Sequence, residues 1–187
     1  MSPRTRPLAI VLSAAAVLLI TALVVWGCTP LPAPDSGRPA GAPEVTRAEV
    51  IRHTDGDTAH FRLQGGAEEK VRFIGIDTPE VGERAEPYGE DAAAYTAEAI
   101  PVGTTVWLET DAELRDRHGR LLAYVWLVEP QSGDDAEVRE LMLNARIVLD
   151  GFANAYTYPP NVKYTETLKD LQAEARDAGR GLWADKG

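Results

Sequence analysis

Two short acidic stretches hold the side chains in this sequence that are best suited to chemistry. The stretch around Asp57 reads Asp-Gly-Asp-Thr, and the stretch that begins at Asp77 reads Asp-Thr-Pro-Glu and ends at Glu80. Alone, the first could be a hairpin turn, which Asp-Gly favours, and the second a strand that leads into a loop. Together they offer three carboxylates from two places. Pro79 also restricts Thr78 to an extended conformation, which fixes the direction of the Thr78 carbonyl.

These groups form an oxygen-only set of metal donors, because no cysteine and no histidine stands beside them at metal-ligand spacing. Such a set suits a hard cation, Ca²⁺ or Mg²⁺, better than zinc. Since the protein supplies few ligands, water must fill several positions. We therefore expect weak binding, with a Kd on the order of 10⁻⁴ to 10⁻³ M, as in extracellular calcium modules.

The elements that position these stretches are predicted to be mostly strands. Apolar and β-branched runs predict five strands, and Ala-, Glu- and Leu-rich stretches predict about three helices. The strands lie around residues 50–51 and over 58–63, 70–76, 104–110 and 121–128, the helices over 88–100, 141–150 and 165–178, and a short extended segment over 152–158. This order predicts an α+β fold with a mainly β core, a five-stranded Greek-key barrel of the OB type.

Four motifs follow one another along the chain in a distinctive order. They are Asp-Gly-Asp-Thr, Arg-x-x-x-x-Asp-Thr-Pro-Glu, Gly-Arg-x-Leu-Ala-Tyr-Val and Ala-Tyr-x-Tyr, and Gly-Leu-Trp closes the series at residues 181–183. In this order and spacing, residues 50–183 resemble the staphylococcal nuclease (thermonuclease) family. Members of that family are small OB-fold enzymes that hydrolyse phosphodiester bonds in DNA and RNA. The set of motifs is far more specific than any one of them.

The resemblance implies a division of roles among the acidic residues. Asp57 and Asp77 would ligate calcium together with the Thr78 carbonyl, so Ca²⁺ is the expected cofactor. Glu80 would lie beside a metal-bound or nearby water and act as general base. General base catalysis of this kind contributes ~10²- to 10⁴-fold in rate.

The resemblance also implies which residues contact the substrate. Arg72 and Arg120 would hold the scissile phosphate from two sides, and Tyr156 and Tyr158 match the pair that lines the nucleotide pocket of the family. Arginine suits the first task, because its planar guanidinium donates two hydrogen bonds to phosphate and stays charged at any working pH. The structural alternatives are arginines that only pair with carboxylates and tyrosines that only pack.

Three features depart from the family pattern near the expected substrate. His118 stands where the family usually has Tyr, and Arg117 stands where Lys is common. Both are candidate substrate-binding residues, and these replacements would alter contacts to the terminal phosphate or sugar. The loop over residues 81–87 is also shorter than in the best-known members. These departures leave the substrate preference open and affect the reaction type little.

The implied activity is that of a calcium-dependent, sugar-nonspecific endonuclease whose products carry 5′-hydroxyl and 3′-phosphate ends. Two alternatives belong to other functional classes. A non-catalytic nucleic-acid-binding module would lack the acidic or arginine positions, all of which are present. A surface lipoprotein whose OB-like domain binds proteins or sugars would leave Arg72, Glu80 and Arg120 unexplained.

The overall charge argues against a nucleic-acid binder. The chain has a formal net charge of -10, from 19 basic and 29 acidic residues. Contacts to phosphate require local positive charge, which this composition does not supply. A bound divalent cation and a few converging arginines can nevertheless make one cleft positive on an acidic body.

The first 28 residues have the features of a targeting segment. Arg4 and Arg6 precede an apolar run over residues 8–26, which is followed by Cys28. The run resembles a bacterial lipoprotein signal with Cys28 as the lipidation site, although Trp26 departs from that pattern. Its length also suits an uncleaved membrane anchor, and conventional secretion is the third alternative. All three place the domain outside the cytoplasm.

A Pro-rich linker over residues 29–43 leads to one nuclease-like domain over residues 44–187. A chain of 187 residues that is 44% hydrophobic suits a single domain with a proper core. Cys28 is the only cysteine, so the domain has no intramolecular disulfide and no thiolate metal site. We expect a monomer that acts on DNA and RNA and that contacts the membrane through its N-terminal lipid or apolar anchor.

Overall fold

The computed structural model describes Pro39 and residues 41–184. The predictions for residues 1–28, lipidation at Cys28 and most of the linker therefore lie outside this part of the chain. Within the described part, no helix is long and apolar enough to cross a membrane.

Five strands form a closed barrel: β1 Thr46–His53, β2 Thr58–Leu63, β3 Glu68–Phe73, β5 Thr105–Glu109 and β6 Leu121–Trp126. Around the barrel they follow the order β1-β2-β3-β6-β5. Neighbouring strands are antiparallel except β3 and β6, which pair in parallel. The predicted five-stranded barrel is confirmed.

The barrel forms because its strands direct apolar side chains inward and polar side chains outward. Val50 of β1, Phe61 of β2 and Val71 of β3 are fully buried. Within each strand, a charged residue stands next to the buried one. In β6 every residue after Leu121 is buried, since helix Leu143–Leu149 covers its outer face. This layering gives one continuous core behind the strand ends that carry the predicted site.

Four α-helices accompany the barrel: α1 Gly89–Ala99, α2 Asp135–Leu141, α3 Leu143–Leu149 and α4 Thr165–Asp177. Three correspond to the predicted helices, and positive φ angles at Gly151 and Gly179 end α3 and α4 where glycine is favoured. α2 was not predicted. Its signal was the Asp-x-x-Glu pattern, because Asp134 caps the helix by accepting the Glu137 N–H at 2.9 Å.

The predicted strand over residues 70–76 is interrupted in the structure. β3 ends at Phe73, and a second short strand, β4 Ile76–Asp77, pairs with β7 Asn154–Ala155. Gly75 lies at the break with φ +80, a left-handed value that glycine adopts without strain. Because the chain turns there, β4 leaves the barrel, and Asp77 comes to lie across from Asn154.

Candidate active site

The two acidic stretches meet at the ends of β2 and β3. The register of these strands pairs Thr58 with Arg72, and the Phe73 N–H donates to the Asp57 carbonyl at 2.8 Å. Asp57 is 5% exposed, and its carboxylate accepts hydrogen bonds from the Thr58 hydroxyl at 3.1 Å and the Thr78 N–H at 2.9 Å. The Asp57 carboxylate is therefore fixed against the Thr78 backbone.

The Arg72 guanidinium joins the two predicted metal-ligand carboxylates. Its Nη2 atom lies 3.0 Å from Asp57 Oδ2 and 2.9 Å from Asp77 Oδ1. Its Nη1 atom donates to the carbonyls of Phe73 and Ile76, each at 2.8 Å. Both carboxylates therefore lie within hydrogen-bond distance of the same nitrogen atom. Arg72 is also held rigidly beside them.

Burial raises the pKa of Asp57 and the pKa of Asp77, and the positive charge of Arg72 opposes this rise in both. Neighbouring carboxylates add to it: Asp55 raises the pKa of Asp57, and Asp57 and Glu86 raise that of Asp77. Carboxylates whose charged form is disfavoured in this way are stabilised by an additional positive charge. The donor chemistry thus fits a hard cation held by two carboxylates and a backbone carbonyl.

Histidine, cysteine and carboxylate side chains form no cluster of three or more that could hold a metal within residues 41–184. A cation at Asp57 and Asp77 would therefore take its other ligands from the Thr78 carbonyl and from water. A donor set with so few protein ligands would bind calcium weakly.

Glu80 lies on the loop that follows β4, with an exposed side chain. Two hydrogen bonds to Glu86 close this loop. The Glu80 N–H donates to Glu86 Oε2 at 3.1 Å, and the Glu86 N–H donates to the Glu80 carbonyl at 2.9 Å. The Glu80 backbone is thereby fixed, and the residue lines the cleft.

Arg120 ends a turn that Asp116 organises. Asp116 accepts hydrogen bonds from the Arg120 Nε at 2.6 Å, the Arg120 N–H at 3.0 Å and the His118 N–H at 2.9 Å. Burial alone would raise the pKa of Asp116, but these hydrogen bonds outweigh it and lower that pKa. Within residues 41–184, no hydrogen bond or ion pair engages the two Nη groups of Arg120. Those groups can therefore donate to a ligand.

The predicted substrate-binding residues are exposed around the same opening. Arg117 donates from its Nε to the His118 ring at 3.1 Å. Tyr156 is 52% exposed and Tyr158 is 64% exposed, and the Tyr156 N–H donates to the Gly75 carbonyl at 2.9 Å. This bond places the tyrosines next to the break between β3 and β4.

One cleft of about 750 Å³ contains all of these groups. Every predicted site residue except Cys28 lines it: Asp57, Arg72, Asp77, Thr78, Glu80, Arg117, His118, Arg120, Tyr156 and Tyr158. The structure therefore brings together residues as far apart in the chain as Asp57 and Tyr158, in the grouping that the motifs predict.

Comparison with known proteins identifies the family. A sequence model described as "Staphylococcal nuclease homologue" matches residues 70–185, which is more than half of the chain. The chain belongs to the staphylococcal nuclease family. This confirms the resemblance that the four motifs indicate.

Named relatives of this family member are nucleases. It is 38% identical to the thermonuclease of Staphylococcus intermedius over 137 residues, which are 72% of this chain and 74% of that protein. It is 34% identical to the thermonuclease of Staphylococcus hyicus over 140 residues, 73% of this chain and 75% of the relative. Identity to endonuclease YncB of Bacillus subtilis (strain 168) is 35% over 149 residues, 77% and 64% of the two chains. The predicted enzyme class, a nuclease and thus a phosphodiester hydrolase, is confirmed.

Three residues of the nuclease cleft region were not predicted from the sequence. Asp116 orients Arg120, Glu86 closes the Glu80 loop, and Asn161 connects two parts of the cleft lining. Only Asp116 left a signal, because it stands four residues before Arg120 within a polar turn. The others act on backbone groups that come near only in the folded chain.

Gly89→Ala should lower kcat/KM for nucleic acid by ~10²-fold, the effect that a displacement of about 1 Å typically has on an active site. A Cβ on Gly89 would lie 2.2 Å from the Glu80 carbonyl oxygen, so the Glu80 loop must move. Gly65→Ala is the matched control, since a Cβ there meets no heavy atom within 4 Å. Wild-type kcat/KM in a folded Gly89→Ala protein would show that the loop position is unimportant.

Proposed function

We propose that this chain is a calcium-dependent endonuclease that hydrolyses phosphodiester bonds in DNA and RNA. The observation that supports this most strongly is the convergence of Asp57, Asp77 and Arg72 in one cleft with Arg120. The family relationship supplies the reaction class, and the geometry supports the assignment of roles to individual residues.

Asp57, Asp77 and the Thr78 carbonyl would hold the cation. When bound, calcium would supply positive charge beside the phosphate and an ordered water shell. The cleft needs such a positive charge, because its lining has six carboxylates and only four arginines. Without a further positive charge, a phosphodiester would be repelled from such a surface.

Arg120 is proposed to stabilise the transition state. In-line attack increases the negative charge on the non-bridging oxygens of the phosphate, so fixed donors aimed at them act more strongly on the transition state than on the ground state. The Arg120 Nη groups are suited to this, since Asp116 holds only the Nε and the backbone. Arg72 adds positive charge from the side of the carboxylates.

Glu80 is proposed to accept the proton of the attacking water. Glu80 is exposed and lines the cleft on a loop whose backbone is fixed, and this suits a group that must be positioned without being buried. The products would carry 5′-hydroxyl and 3′-phosphate ends. Tyr156 and Tyr158 would contact the nucleotide base or sugar, and Arg117 and His118 the adjoining phosphate.

The location of the enzyme is a further part of the proposal. Residues 1–28 would direct the domain, over residues 44–187, out of the cytoplasm, and residues 29–43 would connect the two. Cys28 would carry a lipid, or the apolar run would remain as an anchor or be removed on secretion. The domain would act as a monomer.

The proposal is tested by incubating the full-length protein with single- and double-stranded DNA and RNA, with calcium or with an excess of chelator. We expect cleavage with calcium, its loss with chelator, and a strong loss in Asp77→Ala but not in Asp177→Ala, which alters an exposed carboxylate away from the cleft. Cleavage that survives full chelation would refute the metal mechanism. Binding without cleavage would favour a non-catalytic nucleic-acid-binding module.

A further inference from the structure

A buried asparagine connects two segments of the cleft lining that are distant in sequence. Asn161 is 4% exposed. Its Nδ2 donates to the Glu113 carbonyl at 2.9 Å, and its Oδ1 accepts from the Glu113 N–H at 2.7 Å. Both polar groups of one backbone residue are therefore paired with one side chain. Two such bonds fix distance and orientation between the segments, which are 48 residues apart.

Each segment carries a different kind of substrate contact. One segment contains Tyr156 and Tyr158, here called the tyrosine wall, and the Asn161 N–H donates to the Tyr158 carbonyl at 3.2 Å. The other leads from Glu113 into the Asp116-organised turn with Arg117 and Arg120, here called the arginine wall. Both walls line the same cleft.

A nucleotide presents its base and its phosphate at a separation set by its own covalent structure. An enzyme that stacks the base on aromatic rings and binds the phosphate with guanidinium groups needs a matching separation between the two surfaces. The paired hydrogen bonds of Asn161 join these segments directly. Close by, the Lys163 N–H donates to Asp111 Oδ2 at 3.1 Å, so Asn161 is the link that lies nearer in sequence to both walls.

We propose that Asn161 is a positioning residue that sets the separation between the tyrosine wall and the arginine wall, so that recognition of the base is coupled to binding of the phosphate. This inference rests on the proposed function. Asn161 acts through its neighbours and takes no part in the bond-breaking step. Its loss should therefore affect substrates that have bases and spare substrates that have none.

The experiment compares two substrates for the full-length protein in calcium: a DNA oligonucleotide, and an oligomer of equal length in which tetrahydrofuran abasic units replace the nucleosides. Asn161→Ala should lower kcat/KM for the oligonucleotide about tenfold or more, mainly through KM, as expected when base–aromatic stacking is lost. The base-free oligomer should change by less than about twofold. Tyr158→Ala should give the same selective loss, and the double variant should lose little more than either single variant.

Glu137→Gln is the structural control. The Glu137 carboxylate accepts the N–H groups of Gln131, Ser132 and Gly133, so it also holds a loop through backbone bonds, but none of these residues lines the cleft. In Glu137→Gln, the ratio of kcat/KM for the oligonucleotide to kcat/KM for the base-free oligomer should keep its wild-type value. Asn161→Asp, which keeps the Oδ1 acceptor and removes the Nδ2 donor, replaces Asn161→Ala should the alanine variant not fold.

The proposal is overturned if Asn161→Ala lowers kcat/KM equally for both substrates, or lowers it for neither. It is also overturned if the wild-type protein treats the two substrates alike. Failure of the proposed function is seen separately, as absence of calcium-dependent cleavage by the wild type. In that event the Kd values of the two oligomers are measured instead. The effect of Asn161→Ala on the ratio of these Kd values then decides the role of Asn161.

Discussion

Glu80→Gln is expected to lower kcat by ~10²- to 10⁴-fold, the range for loss of a general base. The substitution keeps the size of the side chain and removes its ability to take a proton. Because the Glu80 side chain is exposed and its loop is held through backbone groups, stability and KM should change little. Single-turnover cleavage of an oligonucleotide at saturating calcium measures the effect.

Glu83→Gln is the control for this experiment. Glu83 lies in the same short loop and is exposed, but it does not line the cleft. It should retain wild-type kcat. If kcat of Glu80→Gln falls by less than about fivefold, the effect is far below the range for a general base. Proton transfer would then belong to another group.

Arg120→Ala is expected to lower kcat by ~10²- to 10³-fold, as typically follows removal of one preorganised donor to a developing oxyanion. Arg120→Lys should recover only part of this, since lysine lacks the planar pair of Nη donors. Arg139→Ala, which breaks a surface ion pair with Glu174, controls for loss of positive charge. It should remain close to wild type.

Asp116→Ala should reduce kcat mainly through Arg120. The Asp116 carboxylate contacts the Arg120 Nε and the backbone of its turn. Adding Asp116→Ala to Arg120→Ala should therefore cause little further loss, and a double-mutant cycle measures this coupling. Full additivity of the two losses would contradict an orienting role for Asp116.

Many residues that line the cleft could be predicted from the sequence because their motifs are local. Asp57 follows a turn signal, and Asp77, Thr78 and Glu80 lie within four positions of one another. Their types and spacing define a donor set before any tertiary contact is known. In the structure Asp57 and Asp77 both contact Arg72 Nη2.

The supporting contacts could not be predicted, because they depend on how distant segments approach. Asn161 pairs with the backbone of Glu113, and backbone groups carry no sequence signature. Likewise, the break between β3 and β4 depends on packing: a Cβ on Gly75 would lie 2.5 Å from the Leu168 side chain of α4. Nothing in residues 70–76 alone indicates that contact.

Composition was misleading about the class of partner. A net charge of -10 argues against a nucleic-acid binder, yet the relatives are nucleases. The resolution lies in the cleft, where four of the arginines converge. Their charges do not outnumber the six carboxylates there, so the balance depends on the proposed cation. Net charge describes the whole surface and not one site.

Calorimetric titration of the full-length protein with calcium tests the central claim most directly. If Asp57 and Asp77 share one ion, the wild type binds one calcium with a Kd on the order of 10⁻⁴ to 10⁻³ M. Asp57→Ala and Asp77→Ala should each abolish that binding event, and Asp177→Ala should keep it. Unchanged calcium binding in either of the first two variants would contradict a shared site.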